Sequence, residues 1–277
     1  MLFDRDIEGG GFLPSILDAE VVNNECIMPA HYRLTLLAPS IAGQVVPGQF
    51  LHLRCWKNYD PLLRRPISIH AVDRQSGMIV LLYRVVSRGT ELLSQQKPGD
   101  TLSVIGPLGR GFTLPQKDNG IGVVAGGMGI APLYFLLQEL SSMGIKAAVF
   151  QGAATANMLL VTQEISALGH ALFVATDDGS AGFHGAVTDL LASVSMQQDI
   201  PISFIYTCGP KAMMQKVSEF AAQQGAACEV SLEEKMGCGV GACLSCACKI
   251  KGRDNGFSYQ RVCVEGPVFS GEEVCWD

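Results

Sequence analysis

The first third of the chain is a succession of short apolar runs separated by turn residues. Strand-like stretches lie at Glu20-Val21-Val22 and at residues 31–36, 49–54, 66–70 and 78–83. Pro47-Gly48, Gln75-Ser76-Gly77 and Pro98-Gly99-Asp100 punctuate them. Short strands at this spacing predict a small antiparallel barrel, which Gly106-Pro107-Leu108-Gly109-Arg110-Gly111-Phe112 brings to an end. From Gly120 the pattern changes. Ile121-Gly122-Val123-Val124-Ala125 is a continuous strand, and Ala147-Ala148-Val149-Phe150, residues 171–175 and Phe204-Ile205-Tyr206-Thr207 repeat that type. Helical stretches lie among them, including residues 132–143 and 211–224. Fully apolar strands alternating with helices predict a parallel sheet covered on both faces.

The last fifty residues are rich in Cys and Gly and carry few long apolar runs. Such a segment builds little core alone and needs a metal site to hold it. The expected architecture is therefore multidomain, β plus α/β: an N-terminal extension over residues 1–17, an antiparallel barrel over 18–117, a parallel-sheet α/β domain over 118–228 and a small Cys-rich domain over 229–277.

Composition narrows the function. With 277 residues, 48% of them apolar, the chain affords a sizeable core and is not globally disordered. The net charge of -6 and the lack of any Lys/Arg run argue against nucleic acid as a partner. Met1-Leu2-Phe3-Asp4-Arg5-Asp6-Ile7-Glu8 has neither a basic n-region nor an apolar h-region, so no secretory signal is predicted. Residues 121–137 approach spanning length, but Gly122, Gly126, Gly127, Gly129 and Pro132 break them into a strand and a helix. No membrane span is predicted, and a cytoplasmic location is expected.

Five of the ten cysteines fall between Cys238 and Cys263, a clustering that points to metal rather than disulfides. Cys238-x4-Cys243-x2-Cys246, with Cys263 after sixteen intervening residues, matches the plant-type spacing of a two-iron, two-sulfur (2Fe-2S) cluster. Three thiolates on one tight loop surround such a cluster, and Gly237, Gly239 and Gly241 let the loop turn closely. Zinc is the alternative, but its sites usually pair cysteines in knuckles at both ends, unlike this three-plus-one pattern. Cys248 is expected to be a small buried residue outside the ligand set. The five histidines show no metal spacing and receive no role.

Other motifs are weaker one by one. Arg64-Arg65-Pro66-Ile67-Ser68 opens a barrel strand; either Arg65 and Ser68 bind a pyrophosphate while the backbone meets a flavin, or this is an ordinary strand entry. Leu82-Tyr83-Arg84 and Gly89-Thr90 offer further contacts. Gly126-Gly127-Met128-Gly129-Ile130-Ala131-Pro132 follows an apolar strand and opens a helix, the context of a phosphate-binding turn or of a turn that serves packing only. Asp177 and Asp178 end a strand where a ribose would favour NAD over NADP, unless they form a plain Asp-Gly turn. Thr207-Cys208-Gly209-Pro210 puts Cys208 at the sheet's carboxyl edge, where packing is the commoner role of a single cysteine.

The order of these motifs resembles the ferredoxin reductase superfamily, and within it the electron-transfer subunits of NAD-dependent, type B dihydroorotate dehydrogenase. The resemblance is carried by residues 63–68, Tyr83-Arg84, Gly89-Thr90, residues 233–246 and residues 262–269, and it spans roughly residues 18–269. It implies FAD at Arg65, Pro66, Ile67 and Ser68, with further contacts at Leu82, Tyr83, Arg84, Gly89 and Thr90. It also implies NAD at Gly126, Gly127, Gly129, Asp177 and Cys208, and a 2Fe-2S cluster on Cys238, Cys243, Cys246 and Cys263. Superfamily members often carry an aromatic where Ile67 stands, whereas Ile67 follows the dihydroorotate branch. The implied partner is an FMN-containing catalytic dihydroorotate dehydrogenase subunit, with two copies of each chain. Electrons then pass from that FMN through the cluster and FAD to NAD+, in pyrimidine biosynthesis, and no residue acts as general acid or base. The rival expectations are a flavin and iron–sulfur subunit of a hydrogenase or a ferredoxin:NADP transhydrogenase, and a zinc-stabilised regulatory subunit without redox activity.

Overall fold

Alternation of apolar and polar positions builds the first domain of the protein, seen in a computed structural model that describes residues 14–56, 60–116, 120–197, 202–252 and 256–276. Most of the expected N-terminal extension, residues 1–13, lies outside the described residues. Six strands form a closed barrel in the order β1 (Ser15–Met28), β2 (His31–Leu37), β5 (Met78–Arg84), β4 (Arg65–Asp73), β3 (Phe50–Leu53) and β6 (Thr101–Leu108). Closure removes the exposed edges that antiparallel sheets otherwise present. Leu34, Leu36, Leu51, Leu53, Ile69, Ile79 and Leu81 fill the interior at 0% exposure. Each such side chain contributes about 1.5–3 kcal/mol on burial. Two short helices, α1 (Pro39–Ala42) and α2 (Arg88–Ser94), cap its connections.

The barrel differs from the sequence-based expectation in two strands. β1 runs for 14 residues rather than three, because Asp18 and Glu20 alternate with the buried Ala19 and Val21, and Asn23, Asn24 and Glu25 follow, which hides the strand from a hydrophobicity count. Register shifts between Val21 and Asn23, and between Cys26 and Met28, bend it around the barrel. β6 was not among the apolar runs, yet it pairs with both β1 and β3. Ser103, Gly106 and Pro107 mask the buried Leu102 and Val104.

The second domain is a seven-stranded sheet, ordered β10 (Phe183–His184), β9 (Ala171–Thr176), β8 (Ala147–Ala153), β7 (Ile121–Gly126), β11 (Phe204–Cys208), β12 (Ala227–Ser231) and β15 (Val268–Ser270). All neighbours are parallel except β12 and β15. Helix α3 (Ile130–Ser142) packs its Leu133, Leu136 and Leu137 against Val123, Ala125 and Val149 on one face, where α4 (Thr162–Ala167) adds Ile165. Leu191 of α5 (Val187–Gln197) and Val217 of α6 (Lys211–Gln224) pack with Val124, Phe150 and Ile205 on the other. Strand order reverses between β7 and β11, the position at which open α/β sheets bind ligands.

The C-terminal segment does not stand apart. A hairpin of β13 (Ala247–Lys251) and β14 (Phe257–Arg261) precedes β15, which completes the sheet. Met236, Cys246, Cys248, Ile250, Val262, Cys263 and Phe269 belong to one core cluster with Val230 and Val217, and Phe50 and Leu108 of the barrel join it. This shared core lodges the Cys-rich loop between the two larger domains. Among the described residues, no helix is long and apolar enough to cross a membrane.

Candidate metal centre and nucleotide sites

The loop from Gly237 to Cys246 is a chain of turns that aims backbone N–H groups at sulfur. Val240, Ala242 and Cys243 donate to Cys238 Sγ at 3.4, 3.2 and 3.4 Å, and Cys238 N–H donates to Cys243 Sγ at 3.4 Å. Ser245 Oγ lies 3.1 Å from Cys243 Sγ and also accepts the Gly237 N–H at 2.8 Å. The Ser245 contacts, with the Cys238 N–H behind them, pull the Cys243 thiol down to about 6. Positive φ makes the loop possible: Gly239 at +74° and Gly241 at +82°. A Cβ on Gly241 would stand 2.7 Å from Val264 Cγ2 and 3.0 Å from Arg261 Nη1.

Arg261 straps this loop to the turn that carries Cys263. Its Nη1 donates to Gly241 O at 2.9 Å, while its backbone N–H and Nε donate to Glu265 Oε2 at 2.6 and 3.0 Å. Cys246 and Cys263 are buried at 2% and 3% exposure and their side chains meet. Burial pushes the Cys263 thiol up to about 12. The four sequence-predicted ligands thus fall into two pairs, Cys238 with Cys243 and Cys246 with Cys263. Among the described residues, no three His, Cys, Asp or Glu side chains form a single-ion site. Backbone donors converging on sulfur and glycines at the points of closest approach fit an iron–sulfur cluster, whose charge such N–H groups stabilise. Cys248 points elsewhere: its S–H donates to Gln260 O at 3.4 Å, and burial raises it to about 11.

On the barrel, Arg65 lies against the first turn of α2. A Cβ on Gly89 would stand 2.5 Å from Arg65 Nε, so glycine is what lets the guanidinium approach. Arg65 Nη1 donates to Leu63 O at 2.6 Å, and the folded chain therefore brings Arg65 and Gly89-Thr90 together. The Thr90 hydroxyl is consumed within the turn, accepting from Val86 and Ser87 N–H at 2.9 and 3.2 Å. Tyr83 is buried at 2% exposure, stacks on Tyr32 at 5.6 Å and donates to Asn24 Oδ1 at 3.2 Å. Ile67 packs against the barrel core and Leu82 against the core beneath α3. Ile67, Leu82, Tyr83 and Thr90 therefore offer backbone to a ligand, while Arg65, Ser68 and the exposed Arg84 offer side chains.

At the sheet's carboxyl edge, the glycine turn and the Cys208 turn interlock. A Cβ on Gly129 would stand 2.0 Å from Cys208 O, and one on Gly126 2.7 Å from Met213 Sδ. Those two glycines serve packing. Gly127, at φ +52°, has nothing within 4 Å of its Cβ position and faces open space. Cys208 is 1% exposed, and burial raises its thiol far above the ordinary range. Asp178 Oδ1 accepts from Ser180 N–H at 3.0 Å and from Ser180 Oγ at 2.5 Å, which lowers its pKa; the Asp177 residue is exposed.

One residue escaped the sequence reading. His52 is buried at 0% exposure beneath Gly239, whose Cβ would stand 2.4 Å from His52 Nδ1. Burial pulls its pKa down to about 4. The only signal in the sequence is a polar residue inside the apolar run Phe50-Leu51-His52-Leu53, which histidine spacing does not register.

Comparison with known proteins agrees with this division. Residues 233–275 match the iron–sulfur cluster binding domain of dihydroorotate dehydrogenase B, and residues 123–219 match an oxidoreductase NAD-binding domain. A curated protein from Desulforamulus reducens, the electron transfer subunit of dihydroorotate dehydrogenase B (NAD(+)), is 46% identical over 96% of this chain and 100% of its own length. The protein of that name from Geobacillus thermodenitrificans is 40% identical over 92% of this chain and 96% of its own. Among solved structures, an NADH-dependent reduced ferredoxin-NADP oxidoreductase superposes with a TM-score of 0.81 at 30% identity, covering 97% of this chain and 92% of that one. A ferredoxin NADP+ reductase from Neisseria gonorrhoeae shares the fold, with a TM-score of 0.63 at 16% identity over 76% of this chain and 92% of that one.

Proposed function

The chain belongs to the electron-transfer subunits of NAD+-dependent dihydroorotate dehydrogenase B, and from that premise we propose how its own residues serve the relay of electrons to NAD+. The subunit pairs with the catalytic subunit that oxidises dihydroorotate, in pyrimidine biosynthesis. That partner carries FMN, two copies of each chain make the complex, and the complex is cytoplasmic. The described cysteines are all free, in keeping with a reducing compartment. A 2Fe-2S cluster supplies one-electron transfer and FAD supplies the exchange between single electrons and the hydride of NAD(H).

Cys238, Cys243, Cys246 and Cys263 hold the cluster. A two-iron centre takes two thiolates per iron, and the four sulfurs already lie in two pairs. The observation that carries this reading is the Cys238–Cys243 cradle, in which backbone N–H groups converge on both sulfurs. Arg65 and Ser68 grip the FAD pyrophosphate, the guanidinium fork matching two phosphate oxygens. Pro66, Ile67, Leu82, Tyr83, Arg84, Gly89 and Thr90 line the flavin. Gly126, Gly127 and Gly129 shape the nucleotide edge, with Gly127 leaving room for a phosphate. Asp177 accepts hydrogen bonds from the ribose hydroxyls and repels a 2′-phosphate. Cys208 borders the nicotinamide as a neutral thiol that shapes the pocket and makes no covalent bond. No side chain acts as general acid or base. By cofactor the chain divides into 18–117 for FAD, 118–228 for NAD and 229–277 for the cluster, with the first barrel strand starting slightly earlier at Ser15 and β15 of the last segment lent to the NAD sheet.

The purified chain tests the proposal directly. Flavin bands with a broad visible shoulder, and co-purification with an FMN-containing, dihydroorotate-oxidising chain, are expected. A colourless protein with one zinc ion refutes it.

A further inference from the structure

The hairpin of β13 and β14 turns one face to the core and the other to solvent. Cys248 and Ile250 pack inward with Val262 and Val230, so Lys249, Phe257 and Tyr259 point outward. The solvent face of an antiparallel pair normally carries polar side chains. Here Phe257 and Tyr259 are 57% and 67% exposed, and their rings meet edge to face at 5.7 Å. Leu244 is 62% exposed and lines an open cavity of about 520 Å³ with Ala247, Tyr259, Arg261 and Glu265. It holds a left-handed backbone at φ +59°, uncommon for leucine, and its side chain gains little burial within this chain in return. These three large side chains present about 400 Å² to solvent, about half of the roughly 800 Å² that each partner contributes to a standard interface. The exposed Val240 and Val264 extend the patch at Gly241, whose carbonyl accepts from Arg261 Nη1.

Leu244 stands between Cys243 and Cys246 in the chain, so whatever covers this patch also covers the cluster loop. Cys243 itself is exposed. One side of the loop is taken by the barrel, where Gly239 packs on His52. The exposed side is the short route to a second protein, and electron tunnelling between proteins falls steeply with distance. We propose that Leu244, Phe257 and Tyr259 form the docking surface for the dihydroorotate-oxidising catalytic subunit. The cavity between Leu244 and Tyr259 receives an apolar or aromatic side chain of that subunit. Arg261 and Glu265 neutralise one another in the cavity wall, so the site asks for no counter-charge and suits a buried anchor of that kind. A second copy of this chain has no need to approach the cluster, whereas the catalytic subunit exchanges electrons with it. The inference rests on the cluster and partner assignments of the preceding subsection.

The test titrates the purified, cofactor-loaded chain with the purified catalytic subunit, by calorimetry or analytical ultracentrifugation, after iron, sulfide and FAD have been measured. A wild-type chain that lacks the cluster, or that does not bind the catalytic subunit, refutes the function reading itself. With both present, the variants bear on the surface alone. Tyr259→Ser leaves the core face of the hairpin untouched, and Leu244→Gln keeps bulk while removing the apolar contact. Met196→Ser, at an 83% exposed position on α5, is the control. In Tyr259→Ser and Leu244→Gln the Kd for the catalytic subunit is expected to rise about thirtyfold or more. Iron content, FAD content and NADH-to-ferricyanide rate are expected to stay at the wild-type level in Tyr259→Ser, and Met196→Ser to bind as wild type. Turnover of dihydroorotate with NAD+ is expected to fall at low subunit concentration and to recover at high concentration, as weakened docking requires. If Leu244→Gln loses iron, Tyr259→Ser decides alone. An unchanged Kd in Tyr259→Ser, an equal loss in Met196→Ser, or lost self-association of this chain with subunit binding intact overturns the inference.

Discussion

Cys243 and Cys248 lie five residues apart and face opposite chemistry. Cys243 is exposed, with the Cys238 N–H and the Ser245 hydroxyl on its sulfur to favour the thiolate, whereas the Cys248 S–H is buried and spends its proton on the Gln260 carbonyl. We predict that Cys243→Ser abolishes the cluster and that Cys248→Ser leaves it intact. Iron and sulfide assays of the two variants check this, and equal loss in both contradicts the ligand set. If Arg65 grips the FAD pyrophosphate as proposed, Arg65→Ala removes charge-assisted hydrogen bonds of about 1.5–3 kcal/mol. Flavin retention after gel filtration is expected to fall by roughly tenfold or more. The proposed ligand set is read from the sequence because Cys238, Cys243 and Cys246 share one short loop whose spacing is local, with Cys263 on a later turn. The burial of His52 is not, because the Gly239 loop that covers it lies nearly two hundred residues further along the chain.

Elements join where glycine permits close approach. Gly129→Ala drives a methyl to within 2.0 Å of a backbone carbonyl, and neither α3 nor the Cys208 turn has a flexible side chain to yield. A loss of about 2–3 kcal/mol is expected, read as a lower urea midpoint. Gly127→Ala meets no clash, yet its φ of +52° costs about 1 kcal/mol and its methyl enters the nucleotide edge. Its KM for NADH is expected to rise far more than its thermal midpoint falls. The barrel is tied to α3 by His70, whose Nδ1–H donates to Ala131 O at 3.0 Å while its ring stacks on Tyr134 at 4.7 Å. Burial, opposed by that hydrogen bond, lowers its pKa to about 4. The unfolded chain takes up this proton below about pH 6.5, and the folded chain only near 4. The stability is therefore fully present above pH 6.5 and is lost as pH falls towards 4. Linkage puts the loss between pH 7 and pH 5 at about 2 kcal/mol. Urea titrations at both pH values are expected to show it, and His70→Gln to remove this share.

At the scale of the molecule, barrel and sheet hold their own cores, and the Cys-rich segment is anchored by β15 and by apolar contacts. Removing iron with a chelator is expected to bleach the visible spectrum while most far-ultraviolet circular dichroism survives. NADH is expected to reduce the flavin faster than NADPH if the exposed Asp177 repels a 2′-phosphate as proposed; stopped-flow reduction in the reverse order contradicts that role. Much of this was readable from the residues alone. Continuous apolar strands, glycine turns and cysteine spacing are local patterns, and they sufficed for barrel, parallel sheet, cofactor types and family. β1 and β6 were underestimated because polar residues on a strand's outer face dilute the apolar signal that burial on the other face creates. Which predicted residues work through side chains and which through backbone was decided only by packing: Tyr83 turns into the barrel, and Thr90 spends its hydroxyl on its own turn. The burial of His52 beneath Gly239 depends on a contact between chain segments far apart in sequence, and no local pattern records such a contact.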